Sequence, residues 1–160
     1  MKRTSKGFSL IELLIVVAII LIIAAIAIPN LLRSRIAANQ ASAVGSLRTL
    51  NTAEITYSST YNVGFSYSMT YLQPPAGSAN PTSTAAGLID SVLAGGAKSG
   101  YSFTYTPGNS DSTGRINTYS FTAVPITTST GTNYYFTDQS GVIRQNSTTV
   151  AASTDSPIGG

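Results

Sequence analysis

The sequence predicts an α+β protein in which one long N-terminal helix packs on a small antiparallel β-meander of three or four strands. Two observations predict this architecture. Residues 8–57 combine an apolar run with a continuation whose apolar residues recur at helical spacing, and segments after residue 100 alternate aromatic with polar side chains, which is typical of strands. A chain of 160 residues has room for one modest domain and a membrane segment.

The apolar run is long enough to cross a membrane. From Leu13 to Ile28 every residue is Leu, Ile, Val or Ala. At about 1.5 Å per residue, a helix over 8–28 is about 30 Å long, which matches the hydrocarbon core of a bilayer. The cations that precede the run are Lys2, Arg3 and Lys6, and the next one is Arg33. The positive-inside rule therefore predicts a cytoplasmic N-terminus, with the bulk of the chain on the other side.

One charge, Glu12, lies near the start of this run. An acidic residue at mid-membrane costs about 2.5–3.5 kcal/mol, and less near the edge, so Glu12 requires a compensating partner or a role. The rest of the sequence offers no obvious intramolecular cation for it. An uncleaved membrane anchor explains the length and orientation of the run but leaves Glu12 unexplained.

A cleavable secretory signal is a second interpretation of the N-terminus. Residues 2–6 would be its cationic region and Ala25-Ile26-Ala27 its cleavage site. The apolar stretch is longer than the usual 7–15 residues, however, and ordinary signals carry no charge in the opening turn of that stretch. Both interpretations remain open on composition alone.

A third interpretation comes from a resemblance. The run opens with Gly7-Phe8-Ser9-Leu10-Ile11-Glu12 and closes with Ala27-Ile28-Pro29-Asn30. This combination resembles the leader and assembly helix of type IV pilins and type II secretion pseudopilins. The resemblance implies that residues 1–7 are a prepilin leader, and that a membrane aspartyl peptidase cuts after Gly7 and methylates the new N-terminus at Phe8.

Cleavage after Gly7 would also supply a partner for Glu12. It creates an α-amino group with a reference pKa of about 7.7–8.0, about one helical turn from the carboxylate. Donated by a neighbouring subunit in a filament, this amine would offset the buried charge and fix the register between helices. We therefore expect Glu12 to be the assembly residue of the chain.

The resemblance divides the helix into two parts. Residues 8–29 would form the transmembrane and filament-core helix, and residues 30–57 an amphipathic continuation. Leu21 departs from the family pattern, because many members carry a Gly there. Since Pro29 lacks an N–H, we expect a kink at Pro29 or a melted turn over 21–29. The residues expected to pack against the head are Leu32, Ile36, Val44, Leu47 and Leu50.

The sequence predicts a globular head over residues 58–146 and a flexible tail over residues 147–160. The head begins with a loop-rich connection and a possible helical turn or two at 85–93. The expected strands lie at 101–106, 116–124, 132–137 and 142–145. The alternating Tyr and Phe residues favour a sheet face packed on the helix over a platform for a ligand.

Several function classes are disfavoured by composition. The chain has no Cys and no His, which removes thiol nucleophiles, imidazole bases and most transition-metal sites. We expect no enzyme, no cofactor and no metal. Asp111 lies in a loop resembling the Ca²⁺ loops of some pseudopilins, but it lacks a second nearby acid and favours turn chemistry. Outside the leader, the chain has six cations and six acids, and the cations are scattered along the sequence. Nucleic-acid binding is therefore not indicated.

The expected function is that of a structural subunit. The resemblance implies insertion in the bacterial inner membrane with a periplasmic head, contact with lipid, and processing by the prepilin peptidase and methyltransferase. An assembly platform and ATPase would then add the subunit to a helical homo-oligomeric filament, an extracellular type IV pilus. The alternatives are the major pseudopilin of a type II secretion system, forming a periplasmic pseudopilus, and an unrelated membrane-anchored binding module.

Overall fold

The computed structural model describes residues 7–77 and 79–159. The chain forms two compact units, the first ending at Arg35 and the second beginning at Ile36. One helix, α1, spans Leu10–Tyr61 and contributes to both units. Residues 1–6 of the predicted leader 1–7, which include its three cations, lie outside the described residues.

The first unit is helical from Leu10 onward, and Pro29 lies inside the helix. The melted turn expected over 21–29 is absent, because every residue there is helical. Pro29 removes one backbone hydrogen bond, but its neighbours are mostly good helix formers, and Leu21 replaces the Gly that would favour unwinding. A bend at Pro29 remains a prediction.

Helix α1 ends at Tyr61, a few residues later than the sequence predicts. Asn62 follows it with a φ of 54° and Gly64 has a φ of 86°. A left-handed residue after the last turn is a common way to end a helix, and Asn tolerates this conformation better than most residues do. The Asn62 N–H donates to the Ser58 carbonyl at 3.0 Å, which completes the last turn.

The second unit contains a five-stranded antiparallel sheet in the order β1-β2-β3-β4-β5. The α+β prediction is therefore confirmed, with one more strand than expected. The strands are β1 (Ala97–Lys98), β2 (Tyr101–Pro107), β3 (Tyr119–Pro125), β4 (Tyr134–Asp138) and β5 (Arg144–Asn146). Before them lie a 3-10 turn at Met69–Leu72 and a short helix α2 at Ser91–Ala94, which begins later than the helical turn expected at 85–93.

The additional strand β1 depends on a two-residue turn. Ser99 has a φ of 50° and Gly100 a φ of 76°, and Lys98 pairs with Tyr101 across them. Two consecutive residues with positive φ match the twist of the flanking strands and define a tight hairpin. Because β1 has only two residues, the sequence carries no alternation from which it could be predicted.

The core of the second unit joins one face of α1 to one face of the sheet. The eight buried α1 residues are Ala43, Ser46, Leu47, Leu50, Asn51, Ala53, Glu54 and Tyr57. On the strands, the inward positions of the aromatic alternation, including Tyr101, Phe103 and Phe121, are buried in the same cluster as Leu47 and Leu50. The aromatic residues of the strands are therefore core residues, as the sequence predicts.

The buried face of α1 begins later than predicted. Leu47 and Leu50 are fully buried, and Val44 is half-buried against the core. Ile36 is only half-buried, and Leu32 is exposed at 45% of its surface, so Leu32 does not belong to this face. Helical spacing identifies the apolar side of a helix but not the length over which another element covers it.

The segment after β5 packs on the second unit, although the sequence predicts a flexible tail. The Gln145 N–H donates to the Ser156 carbonyl at 3.0 Å, and the Ile158 N–H donates to the Ile143 carbonyl at 2.9 Å. Ala151 is buried at 3% exposure. Asp155 holds the returning segment, because its carboxylate accepts hydrogen bonds from the Ala152 N–H and the Asn146 amide.

Candidate functional site

The candidate site is the surface of residues 8–32 in the first unit, where apolar side chains point to all sides of the helix. From Phe8 to Leu32, 17 large apolar side chains are exposed, by between 45 and 79%. Among the described residues, one helix is long and apolar enough to cross a membrane, and none of its apolar stretch is buried. A helix that is apolar all round is found in a membrane or inside an assembly.

The size of this surface determines what it can do. Full burial of a large aliphatic side chain contributes about 1.5–3 kcal/mol, so covering 17 of them contributes tens of kcal/mol. Soluble monomers rarely expose contiguous apolar patches of more than a few hundred Å². Lipid tails and the apolar sides of other helices are the two coverings that match a surface without polar groups.

Glu12 lies in the first turn of α1, where it has a hydrogen-bond partner that the sequence analysis did not anticipate. The Ser9 N–H donates to Oε2 of Glu12 at 2.9 Å. This is the backbone half of a capping box, in which a Glu three residues after the N-cap accepts the N-cap amide. The spacing Ser9-x-x-Glu12 is the signal that would have identified it.

Among the described residues, the capped carboxylate of Glu12 has no counter-ion. Within the described part of the chain, the ion pair present joins Lys98 to Asp90 in the second unit. One carboxylate oxygen of Glu12 accepts the Ser9 amide, and no donor in residues 7–77 or 79–159 binds the other. The geometry therefore leaves one oxygen available for a second donor.

Gly7 and Phe8 precede the first residue of the helix, Leu10. Neither has regular secondary structure, and Phe8 is exposed at 79% of its surface. A Cβ built on Gly7 would meet no atom within 4 Å. The peptide bond between Gly7 and Phe8 is therefore sterically accessible. The absence of a Cβ at Gly7 lets the backbone fit a narrow protease cleft.

Other residues considered in the sequence belong to the second unit. Asp111 accepts hydrogen bonds from the Thr113 N–H and hydroxyl, the Arg115 N–H and the Asn117 amide. The hydrogen bonds from Thr113 and Asn117 hold the pKa of Asp111 well below its ordinary value. With four donors on its carboxylate, Asp111 organises a turn. The described residues contain no group of three His, Cys, Asp or Glu placed to hold a metal.

Glu54 is a buried acid that the sequence analysis missed. It is fully buried and accepts the Ser66 N–H at 2.9 Å and the Ser66 hydroxyl at 2.6 Å. Burial raises the pKa of Glu54, while the two hydrogen bonds from Ser66 act in the opposite direction. The sequence signal was its spacing, because Glu54 lies four residues after Leu50 and three before Tyr57 on the buried face of α1.

The comparisons with known proteins concern this N-terminal segment. Residues 2–28 match the family described as the prokaryotic N-terminal methylation motif. A 37-residue segment is 68% identical to the type IV wide pilus major component PilA4 of Thermus thermophilus, covering 23% of this chain and 28% of the relative. A 50-residue segment is 52% identical to the type IV major pilin protein PilA of Myxococcus xanthus, covering 31% of this chain and 23% of the relative.

The chain therefore spans only about a quarter of the length of the curated relatives that it matches. No solved structure matches it. The similarity to type IV pilins lies in the segment that contains Gly7, Phe8 and Glu12, and it confirms the resemblance derived from that motif.

Proposed function

We propose that this chain, whose N-terminal segment carries the prokaryotic N-terminal methylation motif, is a structural subunit of a type IV pilus. The single observation that carries the proposal is the exposed surface over residues 8–32, on which the polar side chains are limited to Ser9, Glu12 and Asn30. Both relatives are named as major components of type IV pili, which supports a pilus over a secretion pseudopilus.

The subunit first resides in the inner membrane. Residues 8–29 span the bilayer, and the cationic residues 2–6 keep the N-terminus in the cytoplasm, with the second unit in the periplasm. A prepilin peptidase cuts after Gly7 and the same enzyme methylates Phe8. The exposure of Gly7 and Phe8, outside any regular secondary structure, supports this step.

Assembly then exchanges lipid for other copies of the same helix. An assembly platform and ATPase move the subunit into a helical filament, where apolar helix faces cover one another. The free oxygen of Glu12 accepts the Phe8 amine of a neighbouring subunit, while its other oxygen keeps the Ser9 amide. A buried charge pair of this kind fixes the axial register of otherwise featureless apolar helices.

The experiment replaces Glu12 with Gln in cells that lack the wild-type subunit. Glu12→Gln keeps the shape and one oxygen for the Ser9 amide but removes the charge. We expect normal membrane insertion and an N-terminus at methylated Phe8 by mass spectrometry, together with a large loss of filaments by electron microscopy. Ser9→Ala is the matched control in the same turn, since it keeps the backbone N–H that caps the helix.

Two results contradict the proposal. Normal filament numbers from Glu12→Gln exclude the ion pair, and an N-terminus other than Phe8 in the wild type excludes prepilin processing. The absence of any Cys keeps a pseudopilin as the second candidate, because many pilins carry a C-terminal disulfide loop. Filaments on the cell surface support the pilus, whereas periplasmic filaments that are required for secretion support the pseudopilus.

A further inference from the structure

A cleft of about 650 Å³ lies in the second unit, where the end of α1 meets the segment 67–71 and the loop around Arg115. Its size falls within the range of small-molecule sites, about 300–1,000 Å³. The proposed polymerisation uses the first unit, so it assigns no role to this cleft. Its lining is rich in tyrosine and contains a single charged residue.

Two of the aromatic walls are held in place by hydrogen bonds. The Tyr57 hydroxyl donates to the Ser83 carbonyl at 2.7 Å, and the Tyr67 hydroxyl donates to the Gly114 carbonyl. The rings of Tyr67 and Tyr71 lie with centroids 6.2 Å apart and planes inclined at 55°. The cleft therefore presents preformed aromatic surfaces, which reduces the ordering that a ligand would have to impose.

Four polar side chains of the lining form no side-chain hydrogen bond in the described part of the chain. They are the guanidinium of Arg115, the hydroxyls of Tyr71 and Ser83 and the amide of Asn62, and Arg115 forms no ion pair there. Arg115 differs in this respect from Lys98, which pairs with Asp90. The Asp111 carboxylate accepts the backbone N–H of Arg115 at 3.0 Å, but no Asp or Glu belongs to the lining of the cleft itself.

This lining indicates the chemistry of its ligand. Aromatic faces combined with hydroxyl and amide groups suit a sugar ring, which has an apolar C–H face and polar edges. A guanidinium binds one carboxylate through two parallel hydrogen bonds. Nucleic acid is disfavoured because binding along a phosphate backbone requires several clustered cations, and the cleft contains one.

We propose that this cleft binds an acidic saccharide. The sugar ring packs on Tyr67 and Tyr71, and its carboxylate binds the guanidinium of Arg115. The hydroxyl of Tyr71 and the amide of Asn62 bind the ring hydroxyls. Because every lining residue belongs to the second unit, the proposal does not depend on filament assembly and is tested on the subunit alone.

The experiment titrates the full-length chain, in detergent micelles, with trigalacturonate by calorimetry, and with maltotriose as a neutral comparison. We expect saturable binding of trigalacturonate. Arg115→Gln removes the charge and the two parallel hydrogen bonds of the guanidinium, and it should weaken this binding at least about tenfold, since one charge-assisted hydrogen bond alone accounts for about that factor. Arg48→Gln makes the same chemical change at an exposed position outside the cleft and should leave it unchanged.

Two further variants separate the charge from the rest of the lining. Arg115→Lys keeps the charge but loses the planar fork, so we expect an intermediate loss of affinity. Tyr71→Phe removes only the free hydroxyl, and we expect equal weakening of the acidic and neutral saccharides. Near-UV circular dichroism of each variant checks that the tyrosine environments of the second unit are retained.

Three outcomes overturn the proposal. The first is the absence of saturable binding of trigalacturonate to the wild-type chain. The second is an equal loss in Arg48→Gln and Arg115→Gln, which would show general charge attraction. The third is binding of triglutamate that equals or exceeds the binding of trigalacturonate. Triglutamate is an acidic peptide with three side-chain carboxylates, as many as the carboxylates of trigalacturonate, so this result would show that the cleft binds acidic peptides.

Discussion

Glu54 is an unusual residue in the second unit, because its carboxylate is fully buried and forms no ion pair with any cation that the structure describes. Ser66 is also fully buried and donates both its N–H and its hydroxyl to Glu54, while the Tyr105 hydroxyl donates to the Ser66 carbonyl. These bonds join α1 to the chain that follows it and to β2. A charged acceptor forms stronger hydrogen bonds than a neutral one, which offsets part of the desolvation.

A pH dependence of stability follows from Glu54. Burial raises its pKa in the folded state, so the native chain holds a proton that the unfolded chain has released. Stability should therefore fall as the pH rises from about 4.5 to the raised native pKa, by up to about 1.4 kcal/mol per pH unit. Glu54→Gln should remove this slope, because Gln does not titrate.

The measurement is denaturant unfolding at several pH values, followed by near-UV circular dichroism. All nine tyrosines lie between residues 57 and 135, so this signal reports on the second unit. The wild-type minus Glu54→Gln difference cancels the opposite slopes of Asp90 and Asp111, whose pKa values are lowered. Glu54→Leu is the contrasting variant: it does not titrate either, and it should be about 1–3 kcal/mol less stable than Glu54→Gln at any pH, because the buried Ser66 N–H loses its acceptor. A flat difference curve would contradict the assignment.

At the scale of elements, α1 carries two different surfaces along one helix. From Leu10 to Leu32 the helix is exposed and apolar on all sides except at Glu12 and Asn30. In the second unit, one face of the helix is buried and the other carries polar residues such as Arg48, Thr49 and Thr52. The exposed threonines return hydrogen bonds to the helix carbonyls four residues earlier, as Thr52 does to Arg48 at 3.0 Å. The two surfaces predict two separable functions, assembly and folding.

Leu47→Asp tests this separation. Leu47 is fully buried, and an unpaired carboxylate in its place would have to be desolvated or would unfold the core. We expect the second unit to lose its protease resistance while membrane insertion persists, because the destabilisation is comparable to the 5–15 kcal/mol stability of a typical domain. Thr49→Asp places the same charge on the exposed side of the same turn and should have little effect. Wild-type protease resistance in Leu47→Asp would show that the packing face is assigned wrongly.

At the scale of the whole molecule, the two edges of the sheet are protected from pairing with another chain in different ways. The β1 edge is only two residues long. The β5 edge is covered by the returning C-terminal segment, which bonds to it through Gln145 and Ile158. An uncovered edge strand is a template for pairing with another chain. The short β1 edge and the covered β5 edge therefore both oppose unspecific aggregation, whereas the proposed polymerisation uses a different surface.

Truncation after Ser147 tests the role of this segment. We expect a lower melting temperature of the second unit and a greater tendency to aggregate, because β5 loses its covering hydrogen bonds and Ala151 leaves its buried position. Truncation after Ile158 is the matched control and should have no effect, since it retains the bond from Ile158 to Ile143. Equal melting temperatures for the two truncations would support the flexible tail that the sequence predicts.

The sequence by itself determined the features that depend on local pattern. These features are the unbroken apolar run from Leu13 to Ile28, the motif around Gly7, Phe8 and Glu12, and the alternation of aromatic and polar residues in β2 and β3. They were sufficient for the α+β class, the membrane-length helix and the resemblance that the comparisons confirm.

Only the tertiary structure decided the features that depend on residues distant in sequence. The start of the buried face at Ala43, the pairing of Glu54 with Ser66 and the packing of the segment after β5 each require a partner that no local pattern identifies. The tyrosine cleft is a further case, because Tyr57 and Arg115 are 58 positions apart. Periodicity determines which side of an element is apolar, whereas burial depends on which other part of the chain covers that side.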